Sequence, residues 1–208
     1  MEKISKRQLE RLPLYLKYLY SLDDTEIDNV SAPMIASALG LSTEQVRKDI
    51  QLVSSSNGKP KQGRNVKELI EDLVNFLGYN EHDDAVVIGV GHLGQAFMNY
   101  KGFDKFGLNI VAGFDVDSKL IGTSINNKKI YDLYQLDSII HELGVKIAIL
   151  TVPSEVAQVV TNRLVNAGIK AIWNFVPTHL DVSEDIVVEN VNLASSLAIL
   201  SHKLKKID

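Results

Sequence analysis

The stretch VVIGVGHLGQAFMNY, residues 86–100, sets Gly89, Gly91 and Gly94 between an apolar run and a helical pattern. Upstream, Ala85 to Ile88 read as a buried strand, because four apolar residues rich in β-branched side chains follow one another. Downstream, Gln95 to Tyr100 contain no helix breaker, and Ala96, Phe97 and Met98 are expected on a packed face. Strand, glycine turn and helix in that order form the context in which G-x-G-x-x-G signals a dinucleotide site. Gly89 then serves a tight turn, Gly91 lets backbone approach a pyrophosphate, and Gly94 lets helix and strand pack closely. The exposed N–H groups at the helix start, among Val90, Gly91, His92 and Leu93, would face the phosphate charge.

A second requirement of such a site lies downstream. NIVAGFDVD, residues 109–117, is another apolar strand ending in Asp115, 21 positions after Gly94. That spacing suits the carboxylate that holds adenosine ribose hydroxyls, and its charge would repel a 2′-phosphate. NAD(H) is therefore expected rather than NADP(H). A solvated strand end at Asp115, or Asp117 as the ligand, remains open.

Composition sets the outer limits. The chain has 208 residues, 45% apolar and 23% charged, enough for one large or two small domains. It has no run of 18 apolar residues and no apolar core near MEKISKRQLE, so neither a membrane span nor a signal peptide is expected. It has no cysteine, which suits a cytoplasmic protein. The five histidines are scattered, so no metal site is expected. The net charge is −4, yet Arg47, Lys48, Lys59, Lys61, Arg64 and Lys67 face only Asp49 across 21 residues. Such a local basic excess points to nucleic acid, although a solvated face would look the same.

Residues 31–53, SAPMIASALGLSTEQVRKDIQLV, supply a reason for that charge. Ser31 can cap one short helix, with Pro33 in its first turn, and Gly40 can end it in a left-handed conformation. Ser42 and Gln45 then form a capping box for a second helix. Ile35, Leu39, Val46, Ile50 and Val53 would face inward, as a helix-turn-helix requires. Ser42, Thr43, Gln45 and Gln51 would offer short or amide side chains to base edges, and Arg47 and Lys48 would reach phosphates. SSSNGKPKQGRNV, carrying Lys59, Lys61 and Arg64, reads as the basic wing of a winged helix. A linker is the competing reading. VKELIEDLVNFLG follows with a clean helical stripe, and KRQLERLPLYLKYLYSL precedes the motif as an amphipathic helix that Pro13 should kink or restart.

After the glycines the pattern alternates between strands and helices in the manner of a parallel, doubly wound sheet. A helix capped by Ser154 is expected over SEVAQVVTNRLVNAG. Thr151-Val152-Pro153 and Asn174-Phe175-Val176-Pro177 lie at strand ends, on the edge where a dinucleotide would sit. The tail carries leucines at 193, 197, 200 and 204, a narrow seam suited to a partner helix and so to a dimer. Docking of that helix on its own domain is the alternative. The fold expected is therefore α/β in three parts. Residues 1–80 form a winged-helix DNA-binding domain, 81–190 a Rossmann NAD(H)-binding domain, and 191–208 a dimerisation helix.

The segments RLPLYL (11–16), VRKD (46–49), GVGHLGQAFMNY (89–100), FDVD (114–117), LTVP (150–153), GIKAIWNFVP (168–177) and VENVNLA (188–194) together resemble the Rex family of redox-sensing repressors. That resemblance implies a cytoplasmic homodimer that binds double-stranded operator DNA and releases it as NADH accumulates over NAD⁺. It also implies a C-terminal helix exchanged between subunits, and a coupling role for Arg11, Tyr100 and Asn192. Three places depart from the family pattern. The wing lacks aromatics, His92 stands where Asn is common, and Asn192 replaces an Asp that resembles an ionic partner for the arginine matching Arg11.

Two other functions fit parts of the sequence. An NAD-dependent dehydrogenase would need a substrate domain, for which two domains of ordinary size leave no room. An NAD-binding interaction module that has lost DNA binding would explain the altered wing.

Overall fold

A computed structural model describes residues 4–23, 25–54 and 63–206. The chain divides into two compact units, Met1–Glu81 and His82–Asp208.

Among the described residues, the first unit is built from four helices and one short ladder. Helix α1 (Lys6–Asp23) runs unbroken through Pro13 and buries Leu12, Tyr15, Leu16 and Leu19. Strand β1 (Asn29–Val30) leads into α2 (Ala32–Leu39), which starts where the Ser31 hydroxyl accepts the Met34 N–H. Gly40 ends α2 at φ +65°, a conformation that L side chains rarely adopt. Helix α3 (Thr43–Val53) opens with the full capping box, Ser42 and Gln45 each accepting the other's backbone N–H. Strand β2 (Arg64–Asn65) pairs antiparallel with β1, and Asn65 caps α4 (Val66–Leu77). Val46, Ile50, Ile35, Leu69 and Leu73 close the core against the buried face of α1.

The second unit is a seven-stranded sheet. Its strands are β3 (Asp83–Ile88), β4 (Leu108–Asp115), β5 (Ser124–Ile125), β6 (Lys128–Asp132), β7 (Ile147–Leu150), β8 (Ala171–Asn174) and β9 (Val187–Asn190), ordered β5-β6-β4-β3-β7-β8-β9. All neighbours are parallel except β5 and β6. Without β5, this is the 3-2-1-4-5-6 order of a Rossmann sheet, with its switch point between β3 and β7. Helices α6 (Leu136–Leu143) and α7 (Ser154–Asn166) cover one apolar cluster, and α5 (His92–Asn99) covers another.

Three local expectations are corrected, and one hairpin is added. Ala96 is exposed, because Gly94, Phe97 and Met98 form the inward stripe of α5 and Ala96 lies off it. Ser154 is the first residue of α7 and not its cap; extended Pro153 holds that position without a side-chain hydrogen bond. The β5–β6 hairpin turns at Asn126 and Asn127, both with positive φ, as a two-residue hairpin turn requires. Helix α8 (Leu193–Leu204) has no buried residue, so it does not dock on its own unit. Leu193, Leu197, Leu200 and Leu204 are each at least 60% exposed.

Candidate cofactor and nucleic-acid sites

The three glycines of the turn after β3 have separate structural duties. Gly89 has φ +88°, and a Cβ there would lie 2.9 Å from the Thr151 carbonyl oxygen. A Cβ on Gly94 would meet the Gly89 carbonyl oxygen at 2.1 Å, so α5 approaches the strand only with glycine at this position. Gly91 differs from both, since its φ is −69° and a Cβ would find no atom within 4 Å. Open space therefore lies beside Gly91, at the cap of α5, where no side chain caps the helix. His92 and Leu93 are exposed there, while Val90 is fully buried and anchors the turn. A helix start with uncapped N–H groups beside open space suits an anionic ligand.

Two neighbouring strand ends hold this turn. The Asp115 carboxylate accepts the Val90 N–H through Oδ2, and the N–H groups of Val116 and Asp117 through Oδ1 at 2.7 and 2.9 Å. From β7, the Thr151 hydroxyl lies 2.7 Å from the Gly89 carbonyl and 3.0 Å from that of Ile88. Val152 and Pro153 follow directly. Gly89 to Gly94, Asp115 and Thr151 to Pro153 thus converge at the switch point.

Asn174 and Phe175 stand differently. Asn174 was expected to touch the cofactor, but its side chain is fully buried. Its Nδ2 donates to the Thr178 carbonyl and to Asn190 Oδ1, and its Oδ1 accepts the Val176 N–H. The side chain shapes the turn from within. Phe175 joins an aromatic cluster, with ring centroids 4.7 Å from Phe97 and 4.8 Å from Trp173. Tyr100, at the C-cap of α5, is half exposed and meets Phe103 edge-on at 4.8 Å. Asn192 caps α8 by accepting the Ser195 N–H. At the other end of α5, Lys128 Nζ donates to the Met98 carbonyl, a cation placed on a helix C-terminus. Burial lowers the pKa of that amine, partly offset by Asp104.

In the first unit, Ser42, Gln45, Arg47, Lys48 and Gln51 are exposed on α3, and Thr43 is half buried. The Gln45 carbonyl oxygen is taken up by the capping box, and Lys48 pairs with Glu44 at 3.0 Å. Arg64 was expected to reach DNA, yet it is only partly exposed and its guanidinium donates to the half-buried Ser54 hydroxyl. Lys59 and Lys61 lie outside the described residues.

Asp49 stood in the sequence only as the one acid of a basic run, and its structural role is larger. It is 1% exposed, on the inward face of α3 between Val46 and Ile50. Arg11 grips it with a fork, Nε to Oδ2 at 2.7 Å and one terminal amine to Oδ1 at 2.9 Å. Tyr15 donates its hydroxyl at 2.6 Å, and Gln8 its amide at 3.2 Å. Burial pushes the Asp49 carboxyl up, but the hydrogen bonds from Arg11, Tyr15 and Gln8 outweigh it and hold the pKa below its ordinary value. Tyr15 is raised, by burial first and by its bond to Asp49 second. An acid in the apolar stripe of one helix, and an arginine beside the stripe of another, were the available signals.

The two units define a class: a helix-turn-helix unit joined to a Rossmann-type unit with an open helix start at its switch point. Models of known families agree with each half. "Putative DNA-binding protein N-terminus" matches residues 3–50 and "CoA binding domain" matches residues 80–178. A redox-sensing transcriptional repressor Rex from Caldicellulosiruptor saccharolyticus is 40% identical, over 99% of this chain and 93% of its own. One from Clostridium botulinum is 39% identical, over 100% and 98%. Among solved structures, RSP in complex with β-NAD⁺ and operator DNA superposes with a TM-score of 0.92 at 35% identity, covering 99% of this chain and 94% of that one. RSP in complex with β-NADH gives 0.87 at 34%, covering 99% and 96%. The chain belongs to the Rex family of redox-sensing transcriptional repressors.

Proposed function

We propose that this chain represses transcription in the cytoplasm by binding operator DNA as a homodimer, and leaves the DNA when NADH fills the crevice at the β3–β7 switch point. The observation that carries this reading is the glycine turn. Two of its glycines are required by close packing, while Gly91 alone borders open space at a helix start. In this reading the backbone from Gly89 to Gly94 and the first turn of α5, with His92 and Leu93, hold the pyrophosphate. Asp115 holds the adenosine ribose, and Thr151, Val152 and Pro153 floor the crevice. Phe175, on a turn that Asn174 shapes, offers an apolar wall toward the nicotinamide end. Such a wall accepts a neutral ring at lower desolvation cost than a cationic one, so it favours NADH over NAD⁺.

On the DNA side, Thr43, Gln51 and the free amide of Gln45 read base edges, with Ser42 fixing the helix start, and Arg47 and Lys48 hold phosphates. Lys59 and Lys61, outside the described residues, add positive charge to this side of the chain's function. Arg11, Tyr100 and Asn192 couple the two functions, and the chain acts as a sensor rather than an enzyme. NADH shifts the protein only by as much as it prefers the DNA-free arrangement, a coupling of about 1–3 kcal/mol.

Fluorescence anisotropy with a duplex that the protein selects from a random pool tests the proposal. NADH should release that duplex at concentrations where NAD⁺ does not. Equal DNA affinity with either nucleotide would overturn redox sensing, and turnover of an added alcohol or hydroxy acid would favour an enzyme.

A further inference from the structure

We propose that Asp49 is the positioning residue of the DNA-reading helix, and that Gln8, Arg11 and Tyr15 set the rotation of α3 through it. This rests on the DNA-reading role given above to α3. Val46, Asp49, Ile50 and Val53 face inward, so Arg47, Lys48 and Gln51 necessarily face out. Apolar contacts alone tolerate a small roll of one helix against its neighbours, because dispersion is non-directional. A forked guanidinium–carboxylate pair is directional, since both N–H···O bonds lie in one plane.

The fork here joins α1 to α3, with a third donor from Tyr15 and a fourth from Gln8. Gln8, Arg11 and Tyr15 recur at intervals of three and four along α1, so one stripe of that helix presents all four donor groups. A roll of about 20° would move side-chain tips by about 2 Å on a helix of this radius. That displacement breaks hydrogen bonds to base edges, while long Arg and Lys chains follow a phosphate across it. The network therefore governs discrimination between DNA sequences more than overall affinity. It also keeps the Asp49 charge off the DNA-facing surface, where it would oppose Arg47 and Lys48.

The test uses the full-length chain, a duplex selected from a random pool by the wild type, and a scrambled duplex of the same composition. Asp49→Asn should lower the ratio of the two affinities by about tenfold or more, with the salt slope unchanged because the phosphate contacts survive. A second variant, Arg11→Met/Tyr15→Phe/Asp49→Leu, replaces the network by apolar groups and should keep or raise the melting temperature. If the inference is right, this stable variant also loses about tenfold in discrimination. If it melts at or above wild type and retains the wild-type ratio, the network is only structural and the inference falls. Failure of the wild type to enrich any duplex would instead overturn the DNA-reading role itself.

Discussion

The carboxylate of Asp115, the last residue of β4, accepts the N–H of Val90 in the glycine turn that follows β3. One side chain thereby ties the end of β4, where we propose the ribose is held, to the glycine turn proposed for the pyrophosphate. Asp115→Ala should therefore weaken NAD(H) binding by about 10- to 100-fold, the cost of hydrogen bonds to a charged group. It should also reduce discrimination against NADP(H), because the repulsion of a 2′-phosphate disappears with the charge. Fluorescence titration with both reduced cofactors measures this. Unchanged affinity for each would move the ribose role to Asp117.

Gly94 and Gly91 should respond differently to the same substitution, one in stability and the other in binding. Gly94→Ala places a methyl 2.1 Å from the Gly89 carbonyl oxygen, so α5 must move outward. A destabilisation of about 1–3 kcal/mol is expected, the usual range for overpacking. Gly91→Ala meets nothing within 4 Å and needs no unusual φ, so its melting temperature should match wild type. Its NADH affinity should nevertheless fall, because the methyl enters the space where we propose the pyrophosphate binds. Calorimetric melting beside a binding titration separates the two effects.

These two glycines also show what the sequence could reveal. Their duties follow from motif spacing, because a strand–turn–helix with that spacing has few ways to pack. The caps at Ser31, Ser42 and Gly40 were legible for the same local reason. Asp49 was not, since its partners Arg11 and Tyr15 lie 38 and 34 residues away and no local rule joins them. Arg64 was assigned to DNA as part of a basic wing, and Asn174 to the cofactor from its place at a strand end. Hydrogen bonds to Ser54 and to Asn190 instead engage their side chains within the fold. Asn126 and Asn127 carried a hairpin signal that a helix-and-parallel-strand reading had no place for.

Arg47→Ala/Lys48→Ala should weaken DNA binding and flatten its dependence on salt. Each lost phosphate contact removes about 0.9 from the slope of log affinity against log salt. The pair of substitutions should therefore remove about 1.8, with similar losses on selected and scrambled duplexes. Because Lys48 is paired with Glu44 on the exposed face, Glu44→Gln should act in the opposite direction and strengthen binding at low salt. Anisotropy titrations across a salt series decide both points.

The Asp49 network should also fail at both extremes of pH. The folded pKa of Asp49 lies below its ordinary value of 3.8. Its stabilisation is therefore present above 3.8 and is lost as pH falls through the lower, folded value. Tyr15 has the opposite sign. Its folded pKa lies above the ordinary 10.0, so its contribution is present below 10.0 and is lost as pH rises through the higher value. Amide exchange along α1 and α3 should quicken in both windows. In Asp49→Asn the acid window should shrink, and an undiminished acid transition there would assign it to other carboxylates.

Helix α8 presents a seam of exposed leucines. Its leucines at 193, 197, 200 and 204 recur at four, three and four residues, and each is at least 60% exposed. That spacing is a seam for one helix rather than a face for a broad core. In a twofold dimer every substitution on such a seam is felt twice, because the same patch serves both copies. Leu197→Lys/Leu200→Lys replaces four seam leucines per dimer and should cost on the order of 5 kcal/mol of association. The dimer should then dissociate at micromolar concentration, which light scattering after gel filtration would show. The first unit should still melt as in wild type, because α8 contributes no residue to its core. Binding to a palindromic duplex should fall steeply, since two linked reading helices become two independent ones. Binding to a single half-site should stay as it was. If the variant remains a dimer, the exposed leucines serve some other contact and the pairing of reading helices depends on another surface.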